Sequence, residues 1–218
     1  MKRTASARGR GSPWRFPVTV SIVLLAGCGD PGPTTIADTQ ELPACGSTVN
    51  LLVNPDFGRG QGGELAPWRA RQHAGRGSFE TEIAEGEVTI KRTGPEPWFT
   101  LTQQLAAEDL QGHRLLYVAE LKLDLSAEDW PEVTAPGGGL VLTVWGTLPV
   151  AAAGERVVID RRMDREPTLG TTEWFTAWQT VVLPQNATKL EVGFVHRAMG
   201  SLSLRNARLF DCGAEATP

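Results

Sequence analysis

The chain has 218 residues, with 21 Lys/Arg against 25 Asp/Glu, a formal net charge of −4, and 41% hydrophobic residues. That length allows one domain of ordinary size together with flanking segments. The acidic balance excludes the basic footprint on which nucleic-acid binding depends. No Cys/His spacing resembles a zinc site either, because His73, His113 and His196 are isolated from the cysteines and from one another.

Residues 1–27 read as an export signal. Lys2, Arg3, Arg8, Arg10 and Arg15 fall in a stretch with no acidic residue, and an apolar run from Phe16 to Ala26 follows. That run is well short of the roughly 20 residues a permanent membrane span needs. Its exit, Leu25-Ala26-Gly27-Cys28, resembles the lipobox of bacterial lipoproteins. The resemblance implies cleavage after Gly27, a diacylglyceryl group on the Cys28 thiol and a further acyl chain, such as palmitate, on the new amino terminus. One acyl chain binds a bilayer marginally, whereas two or more hold stably.

Loss of the signal removes those five basic residues and leaves 16 Lys/Arg against 25 Asp/Glu, a formal charge of −9. Anionic lipid and nucleic acid both repel such a surface. The expected membrane partner is therefore the bilayer, reached through acylated Cys28. The location implied is the non-cytoplasmic side of the cell envelope. Gly29, rather than aspartate, after Cys28 fits the outer membrane where the organism has one.

Residues 28–44 carry Pro31, Pro33 and Pro43 and almost no large apolar side chain, the composition of a flexible tether partly stiffened by proline. The folded domain is expected over 45–212, with 213–218 a disordered tail. With Cys28 assigned to lipid, Cys45 and Cys212 remain in an oxidising compartment. They either form a disulfide joining the first and last segments or stay as two buried thiols. A bridge closing so long a loop stabilises the fold by about 4–5 kcal/mol on the chain-entropy model.

From Asn50 onward the apolar pattern has period two. Phe79, Thr81 and Ile83 alternate with polar neighbours, as do Val88 and Ile90. Leu115, Tyr117, Ala119, Leu121 and Leu123 share one face opposite Glu120, Lys122 and Asp124. Leu140, Leu142 and Val144 oppose Thr143 and Trp145, and Leu190, Val192 and Phe194 continue the pattern. With 99–104, 180–183 and 201–210, at least eight strands separated by Gly/Pro turns are predicted, which points to a sandwich or barrel. The one helical hint is a turn near 106–109. The connection from Gly146 to Glu173 is the least regular part. It carries Arg156, Asp160, Arg161, Arg162, Asp164 and Arg165 around a short strand at Val157–Ile159, and reads as a solvated charged insertion.

Four segments then fall in a familiar order. They are Asn50-Leu51-Leu52-Val53-Asn54-Pro55-Asp56-Phe57 with Pro67-Trp68 beyond it, Phe99 to Leu105 with Gln103-Gln104, Gly112-His113-Arg114-Leu115-Leu116-Tyr117, and a closing pair at Trp178–Pro184 and Leu202–Phe210. Together they resemble the jelly-roll carbohydrate-binding modules of families 4, 9 and 22, within the galactose-binding-like sandwiches. The resemblance spans roughly residues 50 to 211 and implies an all-β jelly-roll β-sandwich with 50–57 as its first strand. It also places the first and last strands side by side, which favours the Cys45–Cys212 bridge. Family members often carry a structural calcium site. Gly58 stands here where an acidic residue is usual, so the donor set is incomplete and Asp211 is the one candidate ligand left.

Six tryptophans lie beyond Cys28: Trp68, Trp98, Trp130, Trp145, Trp174 and Trp178. The resemblance makes Trp68 and Trp178 core residues. Trp145 points outward if Leu140, Leu142 and Val144 point in, and it forms a binding platform if Glu120, Lys122 and Arg197 lie on neighbouring strands. Trp130, in the turn-rich stretch before Gly139, is either a loop contact or a lid. No nucleophile elbow, phosphate loop or metalloprotease motif is present, and no Asp/Glu pair stands out as a glycosidase dyad, so no enzyme is expected.

The function expected is a membrane-anchored lipoprotein carrying a non-catalytic module for a saccharide. The alternative is a structural or protein-interaction envelope lipoprotein with no sugar site. No cofactor is expected apart from the calcium considered at Asp211. Metabolic labelling with a fatty acid is expected to mark the wild-type protein and not a Cys28→Ala variant; equal labelling of both would contradict the anchor.

Overall fold

The computed structural model describes residues 41–58, 65–74, 77–130, 135–148, 154–163 and 168–215. The export signal, Cys28 and the tether up to residue 40 lie outside them. Eleven strands follow in chain order: β1 (Arg69–Gln72), β2 (Phe79–Ala84), β3 (Glu87–Arg92), β4 (Phe99–Ala106), β5 (His113–Ser126), β6 (Gly137–Thr147), β7 (Glu155–Arg162), β8 (Gly170–Thr171), β9 (Phe175–Val182), β10 (Ala187–Arg197) and β11 (Met199–Ala214). Among the described residues the helical content is one 3-10 turn at Glu108–Leu110.

The strands form two antiparallel sheets. The first runs β1-β4-β10-β6-β7; the second runs β2-β3-β11-β5-β8, with β9 also on β5. The chain is an all-β jelly-roll β-sandwich, and the period-two pattern is the reason. Leu101, Leu140, Leu142, Val144, Leu190, Val192 and Phe194 of the first sheet are fully buried. So are Val88, Ile90, Leu115, Tyr117, Leu121, Leu123, Leu202, Leu204 and Leu209 of the second. Each such side chain contributes about 1.5–3 kcal/mol by leaving water. A one-residue slip in any strand would turn its whole apolar set outward, so burial also fixes the register.

Four aromatic rings knit the layers together. Phe57, ahead of β1, meets Trp68 at 5.0 Å and Phe194 of β10 at 6.1 Å between ring centroids. Phe194 meets Tyr117 of β5 at 6.2 Å. Trp68 is buried, as expected, and its indole N–H donates to the carbonyl of Asn54 at 2.8 Å.

Residues 50–57, expected as a strand, form an irregular arm instead. Side chains supply most of the backbone bonds that a ladder would have made. Asn50 Oδ1 accepts from the N–H of Leu52 at 3.1 Å and of Leu209 at 2.9 Å. Buried Gln103 takes the N–H of Val53 on Oε1 at 2.9 Å and donates from Nε2 to its carbonyl at 2.8 Å. Such pairing is needed because a buried, unbonded amide costs about as much as a lost hydrogen bond. The Cys45–Cys212 disulfide fastens this arm to β11.

Two further expectations shift. The charged insertion is in part the edge strand β7, which carries Arg156, Asp160, Arg161 and Arg162 and has no pairing on its outer side among the described residues. Strand β11 also runs past Cys212, with Ala214 opposite His113. The bridge spans 167 residues of sequence, so its removal is expected to lower unfolding free energy by about 5 kcal/mol on the chain-entropy model. Denaturant titrations of wild type and of Cys45→Ser/Cys212→Ser measure this; identical midpoints would refute it.

Candidate functional site

The outward face of the first sheet gathers the most polar side chains into one line. Cross-strand register sets Gln104 of β4 beside Glu191 of β10, Glu191 beside Thr143 of β6, and Thr143 beside Asp160 of β7. With strands about 4.8 Å apart, this row is about 14 Å long. Gln104 Nε2 donates to Glu191 Oε2 at 2.6 Å, and the Thr143 hydroxyl donates to Asp160 Oδ1 at 3.2 Å. Arg71, on β1, reaches the same Glu191 carboxylate at 3.8 Å.

The next rank of residues is Thr102, Gly193, Val141 and Arg162. Gly193 sits in the middle of that rank, where β4 closes tightly on it, and its neighbours Thr102 and Val141 are buried. No other residue fits there: a Cβ would stand 2.1 Å from the Leu101 carbonyl oxygen. On the far side of the row, Trp145 lies between Lys189 and Val157. Trp145 does point outward and is half-buried, as the alternation predicts.

The other residues expected around Trp145 are elsewhere. Glu120 and Lys122 lie on β5, in the second sheet, and face out from the opposite side of the sandwich. The reason is topological: β5 and β6 are consecutive in sequence but belong to different sheets. Glu120 is paired there with Arg205. Arg197 shares the first-sheet face with Trp145 but sits at the other end of β10, opposite Gly137. Eight residues of strand separate it from Lys189, about 26 Å. Trp130, beyond the end of β5, has the Arg92 guanidinium 4.5 Å from its ring. Trp178, expected in the core, is half-buried on β9, opposite Val118.

Cations recur on these rings. Lys189 Nζ stands 4.6 Å from the Trp145 ring and Arg205 lies 4.1 Å from Trp174. Lys189 is also held by Glu155 at 2.9 Å. Among the described residues no cation sits over Trp98, which borders an open cleft between β1 and β2. In the sequence Trp98 only precedes the strand predicted at 99–104. Its neighbour Phe99 faces inward, which was the available signal that Trp98 faces out.

Asp211 points its carboxylate at His113 Nδ1, 2.9 Å away, and accepts the N–H of Gly213 at 2.9 Å. Burial pushes its pKa up, but those two donors outweigh it and hold the carboxyl below its ordinary range. Among the described residues no group of three or more His, Cys, Asp or Glu is arranged to hold a metal ion.

No protein-family model matches the chain, and no curated protein matches it in sequence. Solved structures do resemble it. The enzymatically active domain of tailspike protein 4 from bacteriophage CBA120 aligns with TM-score 0.47 and 13% identity, over 73% of this chain and 21% of that one. The chain thus matches about a fifth of the tailspike. TmCBM61, solved with β-1,4-galactotriose, gives 0.44 and 16% over 75% of this chain and 99% of the module. A CBM4 structure gives 0.45 and 11% over 73% and 98%. The likeness is one of fold.

A strongly displaced titratable group is His196, wholly buried on β10 behind Phe79, whose ring centroid is 5.4 Å away. Its Nε2 meets the Gly200 carbonyl at 3.2 Å. Burial, helped by the charge of Arg92 and only partly opposed by that carbonyl, lowers its pKa to about 4. The folded protein therefore keeps this ring neutral while the unfolded chain protonates below pH about 6.5. Stability is complete above that value and falls as pH drops toward about 4, by about 3 kcal/mol in all. Denaturant midpoints across this window are expected to flatten in His196→Asn; an unchanged pH slope would show that another group is responsible.

Proposed function

We propose that the protein is a lipid-anchored envelope lipoprotein whose jelly roll is a non-catalytic module for a saccharide. Acylated Cys28 holds it to a membrane on the non-cytoplasmic side, the outer membrane where there is one, and the tether sets the domain away from the surface.

The observation that carries the saccharide reading is the row Gln104–Glu191–Thr143–Asp160, flanked by Trp145 on the same face. It offers an amide, two carboxylates and a hydroxyl at the spacing of adjacent strands. Sugar hydroxyls both donate and accept, so they can exchange with the side-chain pairs already present without stranding a polar group. A ring passing over Trp145 stacks its C–H face on the indole. Lys189 shares that indole, but an exposed cation–π contact is worth only about 0.5–1 kcal/mol, and Glu155 can hold the displaced ammonium.

A second reading has an observation of its own. Cations seated on Trp130, Trp145 and Trp174 give these rings a packing role that needs no ligand. This favours a structural or protein-interaction lipoprotein built on the same sandwich.

A glycan array probed with the mature protein separates the two. Retention of one glycan class, weakened roughly tenfold by Glu191→Gln and by Trp145→Ala, is expected for a binding module. No retention on any glycan, together with recovery of an envelope protein by crosslinking in cells, supports the second reading and sinks the first.

A further inference from the structure

Among the described residues no strand pairing joins the edge strand β1 of the first sheet to the edge strand β2 of the second. β1 is only four residues long, and between these strands lies a cleft of about 530 Å³. Phe79 and Phe99, with ring centroids 5.3 Å apart, form its floor. Ala70, Gln72, Thr81 and Trp98 complete the walls. The volume lies within the range of small-ligand sites, and such sites are largely apolar with a few polar groups for orientation.

Three features define what fits. The indole of Trp98 is half-buried, and His73 approaches it with ring centroids 6.2 Å apart at 77°. His73 is pinned by Glu96 at 3.0 Å, and the same carboxylate accepts the N–H of Ala74 at 2.9 Å, so the strand end beside Trp98 is anchored. Among the described residues none that lines the cleft is acidic. Arg71, which lines it, also reaches Glu191 in the polar row on the first-sheet face. The cleft and the row therefore meet at Arg71.

We infer that this cleft is a subsite that stacks one pyranose ring on Trp98, continuing the polar row past Arg71 and around the edge of the sheet. The flat C–H face meets the indole, and the hydroxyl rim meets the amide of Gln72 and the hydroxyl of Thr81. The inference rests on the saccharide reading and adds a second contact region to it.

The test uses the full mature lipoprotein in detergent, with β-1,4-galactotriose and a xylo-oligosaccharide as probes. Indole N–H signals followed by NMR, and affinities by calorimetry, are recorded for wild type, Trp98→Ala and Ala70→Trp. Ala70 is exposed and lines the cleft, so its replacement by tryptophan fills it. Expected are a shift of the Trp98 indole signal on titration and roughly tenfold weaker binding in both variants. Binding that leaves the Trp98 signal unmoved and is unaffected by Ala70→Trp overturns the subsite while the sheet-face reading stands. No binding of either probe to wild type also overturns the subsite, and the glycan array then decides the broader reading separately.

Discussion

Four aromatic rings from four separated parts of the chain meet at one point, and the architecture depends on their meeting. Phe57 comes from the irregular arm, Trp68 from the entry to β1, Phe194 from the first sheet and Tyr117 from the second. None of these pieces is adjacent in sequence to its partner. Large rings bury more apolar area than any other side chains and prefer tilted or edge-on packing, so this cluster fixes the spacing of the layers as well as joining them. With the layers so held, the arm can be secured by Asn50, Gln103 and the Cys45–Cys212 bridge rather than by a ladder of its own.

That closure shapes the surfaces. The first sheet presents a polar row beside Trp145, whereas the second presents Glu120, Lys122 and Arg205 beside Trp174. The two faces point in opposite directions and cannot act on one small ligand. A feature shared by both is the cation laid on an indole. Each such contact is individually modest, but it holds a long side chain in place and covers apolar ring area that would otherwise face water. Trp98 departs from this pattern, and it lies where β1 and β2 leave the sandwich open.

The arrangement also accounts for where charge is tolerated. The edge strand β7 carries Arg156, Arg161 and Arg162, as suits a strand with no neighbour on one side among the described residues, because charged side chains discourage pairing with other chains. His196 is the reverse case. It is kept in the interior as a neutral ring, and its two nitrogens face the Gly200 carbonyl and the Ala198 N–H.

The alternation of Leu115 to Leu123, Leu140 to Val144 and Leu190 to Phe194 was legible in the chain alone, because a pleated strand sends successive side chains to opposite faces whatever its neighbours are. It determined which residues face inward, that the fold is all-β, and that Trp145 faces out. The cysteine positions likewise brought Cys45 and Cys212 forward as a pair, and the ordered segments brought a jelly roll into view. Alternation says nothing, however, about which strand lies beside which. Tertiary structure alone decided that β5 and β6 part into different sheets, so that Glu120 and Lys122 leave Trp145 while Gln104, Glu191 and Asp160 join its face. It also turned 50–57 into a side-chain-bonded arm, and it set Trp98 beside an opening that exists only because two edge strands from different sheets fail to meet. Facing is a local property of the backbone; neighbourhood is settled by how the whole chain packs.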